Sequence, residues 1–402
     1  MLALLPFVAA IALGDSLPHT PPRAPSPVQE GVSFVVHRQP AVPVVALRLA
    51  VLADDPPGYA GAGHLIQHLV YPSLQEQVAR VGGRVEMARS ADALVYTVSG
   101  PANELGYLAG VLRSALRPSQ PSEPDLLRAR RDLSEERLAE WEVADQHVRS
   151  ALRVRLFPAD LSSAGSEHSA ARLTREALPR LWAEIYQPDR VSIVAVGDVT
   201  MAAVQEAFGA LPPPDATEIA GELRDTVSLQ PLAPAEATQG WFGVGYLASE
   251  LPPAALSVTA RLLQQEVGGR TPDSVSVTGE HWWTHHGQAV VLVAAAPASA
   301  LAVTDAALRG AVGSLAAGLT ERRVREAAQA LRREMRFYGR TPRQMASLIG
   351  AFADHAGDAD AAERYFTALG EVDEAQIRAV LRSLEASEPV RVAIPPQKTE
   401  SK

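Results

Sequence analysis

The sequence predicts an α+β chain of two similar tandem domains, each a mostly antiparallel sheet packed with helices. Three observations predict it. Short runs such as Val42 to Leu52 carry the alternation of strands. Longer runs such as Asn103 to Leu116 carry apolar residues at helical spacing. The order strand, helix, paired strands, helix, long charged helix, closing strand occurs twice, about 200 residues apart, which points to a duplication.

In the first domain, residues 31–211, strands are expected at Val32 to Val36 and Val42 to Leu52, with Pro40 and Pro43 marking the turn between them. A Pro- and Gly-rich loop leads into a helix from Gly61 to about Leu69. Gln75 to Val81 reads as a separate short helix ended by Gly82-Gly83. Paired strands follow at Arg84 to Met87 and Ala93 to Val98, then the helix from Asn103. A long charged helix runs from Asp125 to about Phe157, with a break near Ala144. Leu178 to Tyr186 and Met201 to Leu211 are helical, and Val191 to Val196 is a buried strand closed by Gly197-Asp198.

Residues 212–238, rich in Pro, Ala and acids, read as a linker. The second domain, 239–396, repeats the order. It has strands at Trp241 to Leu247, Asp273 to Gly279 and Ala289 to Ala296, the long charged helix at Glu321 to Phe337, and a closing strand at Val390 to Ile394. Residues 397–402 are a tail.

The apolar start, Met1 to Ala12, with the small-x-small site Ala10-Ile11-Ala12, resembles a signal peptide (1–14) followed by a Pro-rich linker (15–30). This implies an exported protein, periplasmic or extracellular. The run is too short for a permanent span, and no later run reads as a transmembrane anchor. The net charge of −9 gives no basic field for a nucleic acid. The absence of cysteine excludes disulfides, thiolate metal sites and cysteine catalysis.

The chemistry centres on Gly61-Ala62-Gly63-His64-Leu65-Ile66-Gln67-His68-Leu69. His64 and His68 are four apart and lie one turn apart on one helix face, so they can supply two metal ligands. Without further context, two such histidines are more often hydrogen-bonded helix residues than a ligand pair. A third ligand would come from the long acidic helix, which offers Glu135, Glu136, Glu140 and Glu142.

The chain after the Pro-rich linker resembles the insulinase/pitrilysin family of zinc peptidases, in particular its processing-peptidase-like branch. The family's His-x-x-Glu-His stands here as His64-Leu65-Ile66-Gln67-His68. Gly82-Gly83, Asp92, Tyr96, Val196-Gly197-Asp198 and Trp241 to Tyr246 follow in the family's order. The resemblance implies zinc held by His64, His68 and a downstream glutamate. Counting back from Leu156-Phe157 by the family's spacing gives Glu136, the preferred ligand; counting forward from His68 gives Glu142.

Three departures touch substrate or chemistry. Gln67 replaces the glutamate that acts as general base, and an amide has no useful basicity. Glu86 replaces the usual Asn at a substrate-binding position. No Arg-Tyr pair occurs in the Gln265 to Val275 region, where active members carry one. The expectation is therefore a non-catalytic homologue that retains zinc binding. It would be the partner of an active insulinase-like subunit, or a homodimer, and would bind peptide. The alternative is an active zinc endopeptidase in which another carboxylate, such as Glu76, serves as base.

Two further clusters stand out. His281-Trp282-Trp283-Thr284-His285-His286 reads as a hairpin loop or strand end, its tryptophans packing across the sheet or at a subunit interface. The arginine stripe from Arg322 to Arg336 reads as a solvated face paired with Glu321, Glu326 and Glu334.

Overall fold

A computed structural model describes residues 31–52, 55–89, 93–157, 172–211, 237–248, 250–356 and 360–396. The expected signal peptide, most of the interdomain linker, the tail and Asp92 lie outside the described residues.

The first sheet contains β1 (Ser33–Arg38), β2 (Val44–Leu52), β3 (Arg84–Arg89), β4 (Ala93–Pro101) and β5 (Val191–Gly197), in the order β1-β5-β2-β4-β3. Only the β1–β5 pair is parallel. Gly197 ends β5 at φ 146°, where a Cβ would stand 2.2 Å from the Val44 carbonyl oxygen, so the Val-Gly-Asp signal marks a backbone crossing that excludes side chains. The second sheet contains β6 (Gly240–Leu247), β7 (Ser276–Thr284), β8 (Gly287–Ala296) and β9 (Val390–Ile394), antiparallel throughout in the order β7-β8-β6-β9.

The first half's helices are α1 (Ala62–Ala79), α2 (Leu105–Ser114), α3 (Glu123–Glu142), α4 (Ala144–Leu156), α5 (Leu178–Ile185) and α6 (Met201–Phe208). Those of the second are α7 (Pro253–Gly268), α8 (Leu301–Gly318), α9 (Glu321–Tyr338), α10 (Pro342–Ala356), α11 (Ala361–Glu371) and α12 (Glu374–Ala386).

Gln75 to Val81 is not a separate helix, because α1 runs unbroken through Pro72. An internal proline costs roughly 3 kcal/mol. Leu65, Ile66, Val70, Leu74 and Val78 of the same helix are buried in the first core, and each such burial stabilises by about 1.5–3 kcal/mol, so packing outweighs the break. The break foreseen near Ala144 is real. Val143 is extended at φ −92°, ψ 107°, and separates α3 from α4.

That break redirects the chain onto the other half. α3 stays against α1, whereas α4 crosses to the second sheet, where Val148, Leu152 and Leu156 pack with Val291, Val293 and Ile394. The second half returns the arrangement: α9 stays against α7, and α10 crosses to the first sheet, where Ala346, Ile349 and Ala353 pack on Val35, Ala46, Val194 and Val196. Each sheet therefore has one face covered by its own helices and the other by a helix from the opposite half.

Arg48, on the face of β2 beneath α10, is buried and paired with Asp354 of α10 at 2.5 and 3.0 Å. Among the described residues one helix, Ala298–Gly318, is long and apolar enough to cross a membrane by length and composition, contrary to the sequence expectation. Leu308, Ala311, Val312 and Leu315 of this helix are buried in the second core. The second strand of this half starts at Ser276 and continues to Thr284, so His281 to Thr284 belong to β7, and the turn lies at His285-His286.

Candidate metal centre

The N-terminus of α1 is fixed by a carboxylate from the preceding loop. Asp55 accepts from the backbone N–H groups of Gly61 and Gly63, each at 2.7 Å, and satisfies donors that a helix start leaves open. This sets the phase of the helix, and with it the direction of the next two turns.

His64 and His68 then point the same way, with ring centroids 4.9 Å apart. Glu136 reaches them from α3. Its Oε2 lies 3.1 Å from His64 Nε2 and 3.3 Å from His68 Nε2, and the three ligand atoms all lie within 4.8 Å of one another. Glu142 is exposed at the end of α3 and is not part of this cluster. Among the described residues no other group of three metal-ligating side chains converges in this way.

Burial pushes the His64 imidazole below its ordinary value, outweighing the adjacent carboxylate, so the ring is neutral near pH 7, the form that ligates metals. The hydrogen bond from His64, helped by the proximity of His68, holds Glu136 well below the usual carboxylate range. His68 Nε2 is buried and has no hydrogen bond; its contact with Glu136 is close enough to act electrostatically but is not aligned. An orphaned buried nitrogen beside an imidazole and a carboxylate fits a metal ion, and His₂Glu is a donor set suited to zinc.

Gln67, next to His68 in α1, is buried. Its Nε2 donates to the carbonyl oxygens of Ala88 at 3.2 Å and Val95 at 3.4 Å, joining α1 to the β3–β4 hairpin. Glu76, the alternative base, is two turns further along α1, about 12 Å from His68 along the axis. It is exposed and paired with Arg80 at 2.7 Å, which removes it from the chemistry. Glu86 lies on β3, the edge strand, and forms an ion pair with Arg343 at the start of α10.

The region that lacks the Arg-Tyr pair is occupied structurally. Glu266 accepts from Ser314 at 2.7 Å and from Arg323 at 2.9 Å, tying α7 to α8 and α9. The arginine stripe is only partly a solvated face. Arg322 faces Glu326, but Arg332 and Arg336 lie over the Phe366 ring, and Glu334 pairs with Arg261 of α7. The two tryptophans of β7 take opposite faces of the strand. Trp282 packs with the α4 cluster, beneath the Arg153 guanidinium, and Trp283 stacks between His281 and His355.

Arg48, Asp55 and Arg343 were not singled out in the sequence. Arg48 interrupts an apolar alternation, and a charge within a buried strand is a signal for a partner from another element.

No protein-family model and no curated protein sequence matches this chain. Solved structures do. A protease from Helicobacter pylori is 15% identical, with a TM-score of 0.74 over 93% of this chain and 99% of that one. A peptidase M16 inactive domain from Pseudomonas fluorescens is 15% identical, with a TM-score of 0.75 over 94% and 98%. The first half of the periplasmic protease PqqL from Escherichia coli is 14% identical, with a TM-score of 0.70 over 93% and 92%. Likeness at these identities is a likeness of fold, and the fold of this chain is that of the M16, or insulinase-like, peptidases.

Proposed function

We propose that this chain is a zinc-binding, non-catalytic member of the insulinase-like peptidases that acts as a partner or peptide-binding subunit. The observation that carries this reading is a complete ligand set beside an amide in the general-base position. His64, His68 and Glu136 would hold the metal, and zinc supplies a Lewis acid when bound.

The chain's own residues bind and orient here but do not move a proton. Gln67 lacks basicity, and its Nε2 is engaged by two backbone carbonyls. Loss of a general base costs roughly 10²- to 10⁴-fold in rate. Glu76 is too far away to replace it. The edge strand β3 offers unpaired backbone groups to which an extended peptide can add, with Glu86 and Arg343 beside it as a charged pair. The partner would be an active insulinase-like subunit or a second copy of this chain. The apolar start Met1 to Ala12 supports an exported location.

The test is metal analysis of the purified chain together with proteolysis of unstructured peptides in added zinc. About one zinc per chain and no hydrolysis above background are expected. Hydrolysis that is abolished by His64→Ala would overturn the non-catalytic reading.

A further inference from the structure

The second domain carries a built pocket at the place that corresponds to the metal centre. Glu136 and Glu334 are each the fourteenth residue of their helices, α3 and α9. Glu136 meets His68 of α1, and Glu334 meets Arg261 of α7 at 2.5 Å. One turn before His68 stands His64, and one turn before Arg261 stands Ser257. The position that gathers ligands in one half thus holds an ion pair and a hydroxyl in the other.

Beside them lies a cavity of about 220 Å³, with Leu331, Met335, Leu348 and Phe352 as apolar walls. Its polar end is a hydrogen-bond chain of fixed direction. Gln288 Nε2 donates to the Leu251 carbonyl at 3.2 Å, so Gln288 Oε1 accepts from His281 Nε2 at 2.9 Å. With that nitrogen a donor, the neutral ring accepts at Nδ1, and Ser257 Oγ donates to it at 2.9 Å. Tyr365 then donates to Ser257 Oγ at 2.5 Å.

Burial pushes His281 down to about 4, which keeps the ring neutral and the direction fixed at neutral pH. The hydroxyl protons of Tyr365 and Ser257 and the ring proton of His281 are all engaged, so Ser257 and Tyr365 face the cavity as acceptors. Among the described residues Arg261 has one hydrogen bond, to Glu334, and retains further N–H donors, while Glu334 cancels its charge.

We propose that this cavity binds a neutral, single-ring ligand whose polar group both donates and accepts, a phenol or a carboxamide. The volume is below that of pockets for drug-sized ligands, typically about 300–1,000 Å³, and suits one ring against the apolar walls. The ligand's acceptor meets Arg261, and its donor meets the lone pairs of Ser257 or Tyr365. A carboxylate brings no proton to those oxygens and lies beside Glu334. An ammonium faces Arg261. The same chemistry is presented by a free small molecule and by a tyrosine side chain of a peptide. The proposal is independent of zinc and of peptidase activity.

The test is titration of the full chain with benzamide and with p-cresol, followed by saturation-transfer NMR and by the fluorescence of Trp283, which stacks on His281. Saturable binding is expected, with benzoate and benzylamine at least about tenfold weaker than benzamide. Ser257→Ala should weaken benzamide by about three- to tenfold. Leu331→Trp, which fills the cavity from its half-buried wall and spares the hydrogen-bond chain, should abolish binding. N-acetyl-tyrosinamide binding as well as p-cresol assigns the site to a peptide side chain; p-cresol binding alone assigns it to a free small molecule. The proposal is overturned if neither benzamide nor p-cresol saturates the wild-type chain, or if benzoate matches benzamide. It is equally overturned if either variant, folded by its melting curve, keeps wild-type affinity.

Discussion

Gln67 Nε2, on the helix that carries His64 and His68, donates a hydrogen bond to the carbonyl oxygen of Ala88, 3.2 Å away. The same nitrogen reaches Val95 O, so one amide ties the helix of the candidate metal centre to both strands of the edge hairpin. Substitution by glutamate removes the donor and sets a carboxylate against two carbonyls. Gln67→Glu should therefore lose about 1–3 kcal/mol of stability, the cost of leaving buried groups unsatisfied. Urea denaturation of the variant and the parent measures it, and equal midpoints would show that the amide is not a structural tie.

Zinc binding should depend on His64, His68 and Glu136 and not on Glu142. Alanine at either histidine, or Glu136→Gln, should weaken zinc by more than about 100-fold, since even losing a group that only supports a ligand costs about 10- to 100-fold. Glu142→Gln should leave it unchanged. Equilibrium dialysis reads the affinities. A thermal shift gives a second measure, because zinc at 100 times its Kd should stabilise the chain by about 2.7 kcal/mol.

The histidine pair was legible because a helix turns sequence spacing of four into one face, whatever the rest of the chain does. Glu136 and Glu142 were harder to tell apart, because counting back from Leu156-Phe157 and forward from His68 gives two different registers along the long helix. Glu136, and not Glu142, groups with His64 and His68 in the folded chain. The exchange of α4 and α10 between halves was not legible either. Their apolar faces require burial but do not state against which sheet. Arg48 read as an oddity in β2 for the same reason: its partner, Asp354, is 306 residues away.

Asp354→Ala should be among the most damaging single substitutions in the chain. It strands Arg48, whose side chain is 5% exposed, as an unpaired charge between the two halves. Breaking a buried pair from one side costs roughly 3–5 kcal/mol. Gly350 leaves little space for relief, because a Cβ there would already stand 2.5 Å from the Arg48 side chain. Removing both charges with Arg48→Met and Asp354→Leu should recover most of the loss. A double-mutant cycle by chemical denaturation measures the coupling, and additive losses would refute it.

His281 should make stability depend on pH in mildly acidic solution. Burial pushes its folded value down to about 4 from an ordinary 6.5, so between those values the unfolded chain binds a proton that the folded chain refuses. The stabilisation is fully present above pH 6.5 and is lost as pH falls towards 4, below which both states are protonated and the slope from this residue ends. The shift corresponds to a loss on the order of 3 kcal/mol. His281→Asn removes the titrating group. Its denaturation midpoint should fall less steeply than that of the parent between pH 6.5 and 4, and parallel curves would assign the acid sensitivity to other residues.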